Sequence, residues 1–463
     1  MGSMRYKSTR GKMPLMGFQD AALTGLAPDG GLIIPESLPD VSDRLWSWSK
    51  LPYPDLAYEI LRLFTDIPQP DLRMLIDKSY AAFDHPEVAP AVKVGPVHIL
   101  ELFHGPTLAF KDIALQFLSN FYEYVLEHRD GRLNIVGATS GDTGSAAIHG
   151  VKGMHRVRIF IMHPHGRVAP LQEKQMTAVL DSNVFNLAIK GTFDDCQRIM
   201  KNLFGDLPYK EAHALGSINS VNWARVLAQI VYYFSSGLYV MNQTGAKSVR
   251  FSVPTGNFGD ILAGYYARGM GLPISKLILA TNENDILSRF FNTGVYSTGK
   301  VMHTISPSMD IQVASNFERY LYHKVGDDAE RLTGLMNDFA TKGSLSLPVK
   351  PGAGVDPLFA AGVGDTAGTL ETIRHYHRVH GYLLDPHTAV GVRVGESHLS
   401  KDEPMICLAT AHPAKFSQAI LDATGQDLAH HPTLDALKDA PTRCEVLPAD
   451  EKAVRDYVAA HAM

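Results

Sequence analysis

From about residue 97 the chain repeats one unit: a short apolar run, a turn often marked by glycine, then a segment with helical spacing. Val97-His-Ile-Leu-Glu-Leu102 reads as a strand. Leu133–Val136 and Val157–Ile161 read as strands on either side of a glycine-rich turn and the segment Ser145–His149, which makes a βαβ unit. Phe185–Ile189 reads as a strand, Asp194–Phe204 as a helix and Val221–Tyr233 as a long apolar-rich helix. Strands Val249–Val253 and Leu277–Ala280 flank a helix at Asp260–Arg268. Helices follow at Asn316–Tyr322, Ala329–Ala340 and Thr369–His380, with a late strand at Met405–Leu408. Alternation on this scale predicts a parallel-rich α/β architecture. Two blocks, 97–215 and 216–463, predict two α/β domains around a central cleft. Residues 1–96 read as an amino-terminal extension, with a turn at Pro28-Asp-Gly-Gly31. Its helices show apolar faces at Leu56, Ile60 and Leu63, and at Leu72, Leu75 and Ile76.

Charge and cysteine content exclude several classes of function. A formal charge of -5 gives no electrostatic case for nucleic acid or an anionic membrane. Cys196, Cys407 and Cys444 are far apart, form no metal-ligand pattern and read as reduced thiols of a cytoplasmic protein. No apolar run is long enough to span a bilayer, and the first residues, Met1-Gly-Ser-Met4, lack a secretory h-region. The twenty histidines make no zinc pair with a third ligand, so no metal is expected.

The chemistry centres on His104-Gly-Pro-Thr-Leu-Ala-Phe-Lys111-Asp112. Gly105-Pro106 signals a turn, and Ile113, Phe117, Phe121 and Val125 recur at helical intervals. Thr107 suits a helix cap and Asp112 a first turn. Lys111 therefore stands at a helix entrance. It is either a surface residue lying over apolar neighbours or a desolvated amine able to form a Schiff base.

Two strand–turn–helix loops bear on that choice. Gly137-Ala-Thr-Ser-Gly-Asp-Thr-Gly144 and Pro254-Thr-Gly-Asn-Phe-Gly-Asp260 each offer backbone N–H donors at a helix start. Neither carries a nucleotide-loop signature, and either alone is an ordinary βα connection. Both loops together with an amine suit two anions and one aldehyde: a cofactor phosphate, an amino-acid carboxylate and the carbonyl of pyridoxal phosphate.

These segments resemble the threonine synthases, a family of fold type II pyridoxal-phosphate enzymes. The resemblance rests on His104–Asp112, Thr139–Gly144 and Pro254–Ile261. It extends to Ser8-Thr-Arg-Gly11 with Asp29-Gly-Gly31, to Leu383-Leu-Asp-Pro-His-Thr-Ala-Val-Gly391 and to Thr410-Ala-His-Pro-Ala-Lys415. It implies a Schiff base between Lys111 and the cofactor aldehyde, with Lys111 also the catalytic base. Gly256, Asn257, Phe258, Gly259 and Asp260 would hold the cofactor phosphate, and Thr410 would face the pyridine nitrogen. Ser140, Asp142 and Thr143 would lie beside the ring and the substrate carboxylate. A carboxylate at 142 would repel another carboxylate, so Asp142 is expected to point at a donor or carry a proton.

Ser217-Ile-Asn-Ser-Val-Asn-Trp-Ala-Arg225 resembles the family's substrate-phosphate segment, implicating Asn222 and Arg225. Placed on a helix, those two share a face; spacing alone allows Arg225 to be a solvated side chain equally well. His104, His387 and His412 sit within motifs, but polar packing explains them as well as catalysis does.

The implied activity is a carbon–oxygen lyase acting on O-phospho-L-homoserine in the cytoplasm, as a monomer or homodimer, without nucleic acid or membrane partners. Alternatives are a serine/threonine dehydratase or cysteine synthase of the same fold, or a non-catalytic phosphate-ligand binder.

Overall fold

The computed structural model describes residues 4–139, 141–352 and 354–463. The chain forms two compact units. The larger comprises Met1–Ile76, Phe83–His104 and Ser220–Ala429, and the smaller Asp77–Ala82, Gly105–Asn219 and His430–Met463.

The larger unit is built on a six-stranded sheet. Its spatial order is Phe359–Val363, Ile274–Thr281, Val249–Pro254, Met405–Ala409, Val97–Glu101, Ala91–Val94. Every neighbouring pair is parallel except the last. The strands read as nearly continuous apolar runs because helices cover both faces of a parallel sheet. Ile99, Ile278 and Cys407 from the sheet are buried with Ile373 and Tyr376 of the helix Thr366–His380 and Val390 of the helix Pro386–Glu396. The long helix runs Trp223–Thr244, starting two residues later and continuing eleven further than the apolar pattern alone indicates. Asn222 caps its start, and Gly245 ends it in the left-handed conformation.

In the smaller unit a five-stranded parallel sheet runs Glu445–Pro448, Val184–Lys190, Val157–Pro164, Leu133–Ala138, Leu215–Gly216. Val136, Phe160 and Leu187 are buried with Ile199 of the helix Phe193–Gly205 and Val454 of the helix Glu451–His461.

This division differs from the boundaries at 97 and 216. The strand at Val97 pairs with Met405–Ala409, so it belongs to the larger sheet. The carboxyl-terminal strand Glu445–Pro448 pairs with Val184–Lys190 and so returns to the smaller one. The first 76 residues are not set apart either. Their antiparallel strand pair, Tyr6–Ser8 with Ile33–Pro35, belongs to the larger unit, where the buried Tyr6 hydroxyl accepts from Trp223 Nε1 at 3.2 Å.

Candidate active site

In the smaller unit, Lys111 is the first residue of the helix Lys111–His128 and is 8 % exposed. Its Nζ lies 3.5 Å from Asp142 Oδ2 and 5.4 Å from the Phe110 ring centroid. The surface reading of Lys111 therefore fails. A helix start disfavours a cation, and the Asp142 carboxylate offsets that effect.

The cap is Phe110, with no side-chain cap bond, so Thr107 does not cap the helix as expected. Instead, Asp112 reaches back to accept from Thr107 N–H at 2.8 Å and from its hydroxyl at 2.7 Å. Leu108 between them has φ 59°, a left-handed value rare for a branched side chain. Such strain persists only where the surroundings over-determine it, and it clusters at functional loops. Gly105 is required here, because a Cβ would stand 2.4 Å from that of Asp112.

The first glycine loop is laced by one hydroxyl: Thr139 Oγ1 accepts from Gly141 N–H and from Gly144 N–H, each at 3.0 Å. Gly141, at φ 151°, precedes the helix Asp142–Val151. Asp142 and Thr143 open that helix, with Asp142 buried and Thr143 half-buried. Asp142 faces two donors, since Oδ1 also accepts from Gln172 Nε2 at 3.0 Å. Ser140 lies outside the described residues.

In the larger unit, the second glycine loop joins the strand Val249–Pro254 to the helix Gly259–Gly269. Phe258, with φ 65°, is the cap, and its ring is buried against Phe291 and Phe317. Among the described residues, the backbone N–H groups of Gly256, Asn257, Phe258, Gly259 and Asp260 have no acceptor within the chain. Five consecutive donors at a helix start suit a phosphate. A Cβ on Gly256 would lie 2.7 Å from Ser308 O.

The side chain of Asp260 has a different role. Its Oδ1 accepts from Tyr232 at 2.5 Å and Tyr233 at 3.1 Å. Burial pushes its carboxyl up to about 7, against the pull of both tyrosine hydroxyls. Asp260 can therefore serve an anion through its backbone, not through its carboxyl. Thr410, buried, follows the strand Met405–Ala409, which neighbours Val249–Pro254. Thr410 and the glycine loop thus leave the carboxyl ends of adjacent parallel strands, the usual ligand edge of such sheets.

Asn222 is the cap of the Trp223 helix, not a member of it. Its Oδ1 accepts from Ala224 N–H at 3.0 Å, and its Nδ2 donates to Ala22 O at 2.8 Å. Arg225 is in the first turn and 5 % exposed, so it is not a solvated face residue.

Each unit holds groups that suit part of pyridoxal phosphate: in the smaller unit the buried amine of Lys111 suits its aldehyde, and in the larger unit the backbone donors of 256–260 suit its phosphate. Residues 5–80 match the model "Threonine synthase N terminus", 83–335 "Pyridoxal-phosphate dependent enzyme" and 388–458 "Threonine synthase, C-terminal". A threonine synthase of Pseudomonas aeruginosa is 47% identical, over 99% of this chain and 98% of that protein. One of Saccharomyces cerevisiae is 46% identical, over 91% and 89%. The structure of PLP-bound threonine synthase from Brucella melitensis is similar at TM-score 0.96 and 45% identity, covering 99% of this chain and 100% of that one. The chain belongs to the threonine synthase family.

Other family-like motifs have readable roles. Asp29 accepts from the Ser8 hydroxyl at 2.7 Å and from the N–H groups of Lys12 and Gly31, each at 2.9 Å. Asp385 caps the helix Pro386–Glu396 and accepts from His387 Nδ1 at 2.9 Å. That leaves His387 Nε2 to accept from Ser308 N–H at 3.2 Å, on the loop against Gly256. His412 caps a short turn by accepting from Ala414 N–H at 3.1 Å. His104 bridges Glu101 at 2.9 Å and Asp84 at 3.1 Å. Burial opposes the charged form of His104, but these two carboxylates outweigh it and raise its pKa.

Several residues of these networks were not singled out by sequence reading, notably Gln172, Tyr232 and Tyr233. Polar residues inside apolar helices, as at 232 and 233, were the only available signal.

Proposed function

We propose that this chain converts O-phospho-L-homoserine and water to L-threonine and phosphate, with Lys111 as the catalytic amine. The carrying observation is the burial of Lys111 at a helix start, beside a carboxylate. Lys111 Nζ would hold the cofactor through its aldehyde and, once released, serves as the amine nearest the substrate Cα. Pyridoxal phosphate, when bound, supplies the electron sink for negative charge next to the substrate nitrogen. The backbone donors of 256–260 would hold its phosphate, and the Thr410 hydroxyl would be the partner of its ring nitrogen, where a hydroxyl would moderate the sink more than a carboxylate would.

Freed Lys111 Nζ takes the Cα proton and acts again as base or acid in later proton transfers. Loss of a Cβ proton expels phosphate from Cγ, with cleavage of the Cγ–O bond. Water then adds its hydroxyl at Cβ, while protons return to Cγ and Cα. Asp142 and Thr143 would lie at the substrate and ring, with Asp142 directed at donors. Arg225, with the helix start at Asn222, binds the substrate phosphate; its planar fork and the helix dipole both favour an anion.

The same reading places the enzyme in the cytoplasm as a monomer or homodimer, with no nucleic-acid or membrane partner. Among the described residues, no helix is long and apolar enough to cross a membrane.

The test is incubation of the cofactor-supplemented protein with phosphohomoserine, following threonine and phosphate together. Equal release of both is expected. A 2-oxo acid from serine or threonine, without phosphate-linked threonine, would replace this reading with a dehydratase.

A further inference from the structure

In the larger unit, one buried amide grips both segments to which anions have been assigned. Asn316 donates from its backbone to Asn257 O at 3.0 Å. Its Nδ2 donates to Asn257 O at 3.3 Å and to Ser220 O at 3.0 Å. Asn257 lies in the glycine loop, and Ser220 two residues before the cap Asn222.

The amide is itself locked. Its Oδ1 accepts from Arg319 Nη1 at 2.6 Å. Arg319 Nη2 also donates to Val221 O at 2.6 Å and Ile33 O at 2.8 Å, and Nε to Ile33 O at 3.1 Å. Both Asn316 and Arg319 are fully buried. A guanidinium on Oδ1 fixes which end of the amide is the donor, and Nδ2 then serves the two carbonyls.

The peptide group is planar, so holding a carbonyl also aims the next residue's N–H. Gripping Asn257 O aims Phe258 N–H away from Asn316, and gripping Val221 O does the same for Asn222 N–H. A Cβ on Gly259 would lie 3.1 Å from Asn316 Nδ2, so glycine there admits the amide.

We propose that Asn316, locked by Arg319, is a positioning residue that sets the cofactor-phosphate loop and the substrate-phosphate segment in register with each other. This rests on the two anion assignments made above. It makes the two binding events share a support, so a change at 316 moves both affinities together.

Asn316→Asp tests it. The carboxylate keeps a partner for Arg319 but removes the side-chain donor to Ser220 O and Asn257 O, leaving only the backbone N–H on Asn257 O. The dissociation constant for pyridoxal phosphate, titrated into cofactor-free protein by fluorescence, and the KM for phosphohomoserine at saturating cofactor should each rise about tenfold. The phosphorus resonance of the bound cofactor should also shift. A lower melting temperature with both constants unchanged would reduce Asn316 to a packing residue and overturn the proposal. If N316D does not fold, Asn316→Ser, neutral and smaller, carries the same readouts. Arg225→Ala separates the two levels of inference. An unaltered KM in R225A removes the substrate-phosphate assignment, whereas a raised KM in R225A with unaltered constants in both Asn316 variants removes only the role of Asn316.

Discussion

Lys111 Nζ and Asp142 Oδ2 stand 3.5 Å apart, each at the start of its own helix in the smaller unit. A lysine is a poor choice for a helix entrance, where the dipole opposes a cation, and a poorer one when buried. The fold holds it there with Asp142 opposite and Phe110 alongside. That expense is intelligible if the amine must be delivered to an aldehyde.

Lys111→Ala should therefore lose at least about a thousandfold in turnover, since no other amine replaces its proton transfers. It should also fail to develop the visible absorbance of a lysine–cofactor adduct. The phosphate cradle at 256–260 is untouched, so equilibrium binding of the cofactor should persist. Titration with pyridoxal phosphate, followed by absorbance and dialysis, checks this. Retained turnover would remove Lys111 from the mechanism.

Arg225 is the cation assigned to the substrate phosphate. Arg225→Ala should raise the KM for phosphohomoserine at least about tenfold, because a charge-assisted fork is lost. The cofactor spectrum should not change. Steady-state kinetics with and without added inorganic phosphate measure the effect. Product inhibition by phosphate should weaken in parallel with substrate binding.

The βαβ pattern was legible because strands buried on both faces stand out as apolar runs, as at Val157–Pro164. The division into units was not. Pattern alone does not tell that the strand Val97–Glu101 joins Met405–Ala409, or that the chain returns at Glu445–Pro448, because strand order is set by long-range packing. Lys111 and both glycine loops were readable, since an amine and glycines at helix starts carry local signals. Leu108 and Phe258 were not, for their positive φ is imposed by surroundings that sequence does not display. Asn316 and Arg319 look like ordinary helix-start residues; only burial among distant carbonyls distinguishes them. Asn222 and Arg225 were read as sharing a helix face, but that was the wrong geometry, because the asparagine stands at the cap and is consumed in capping.

Gly141 marks a second kind of constraint. Its φ of 151° suits glycine, and a Cβ would meet Gln172 Oε1 at 2.4 Å. Gln172 is the residue that donates to Asp142. Gly141→Ala should displace Gln172 and disorder the carboxylate opposite Lys111. A stability loss of about 1–3 kcal/mol is expected from the strained backbone, with a larger fall in kcat/KM than stability alone explains. Thermal melts paired with kinetics below the transition separate the two effects. Equal activity per folded molecule would show that the loop tolerates the methyl group.

His98 gives a prediction in pH. It lies on the strand Val97–Glu101, 7 % exposed, with Nδ1 lacking a partner among the described residues. Burial, aided by the charge of Lys93 and opposed by a bond to the Met405 backbone, pushes its pKa from 6.5 down to about 4. Below 6.5 the unfolded chain takes up a proton that the folded chain refuses until about 4. The unfolded state thus binds more protons across this window, and stability contributed by neutral His98 falls as pH drops through it. Above 6.5 the contribution no longer changes. His98→Leu removes this proton and should flatten the acid limb of the melting temperature between pH 6.5 and about 4, while costing some stability at pH 8 through imperfect packing. Nearby His104, whose pKa is raised, slopes the other way and remains in both proteins, so the difference between the two curves isolates residue 98. Parallel curves for parent and variant across that range would mean that His98 is charged in the fold, or not buried as described.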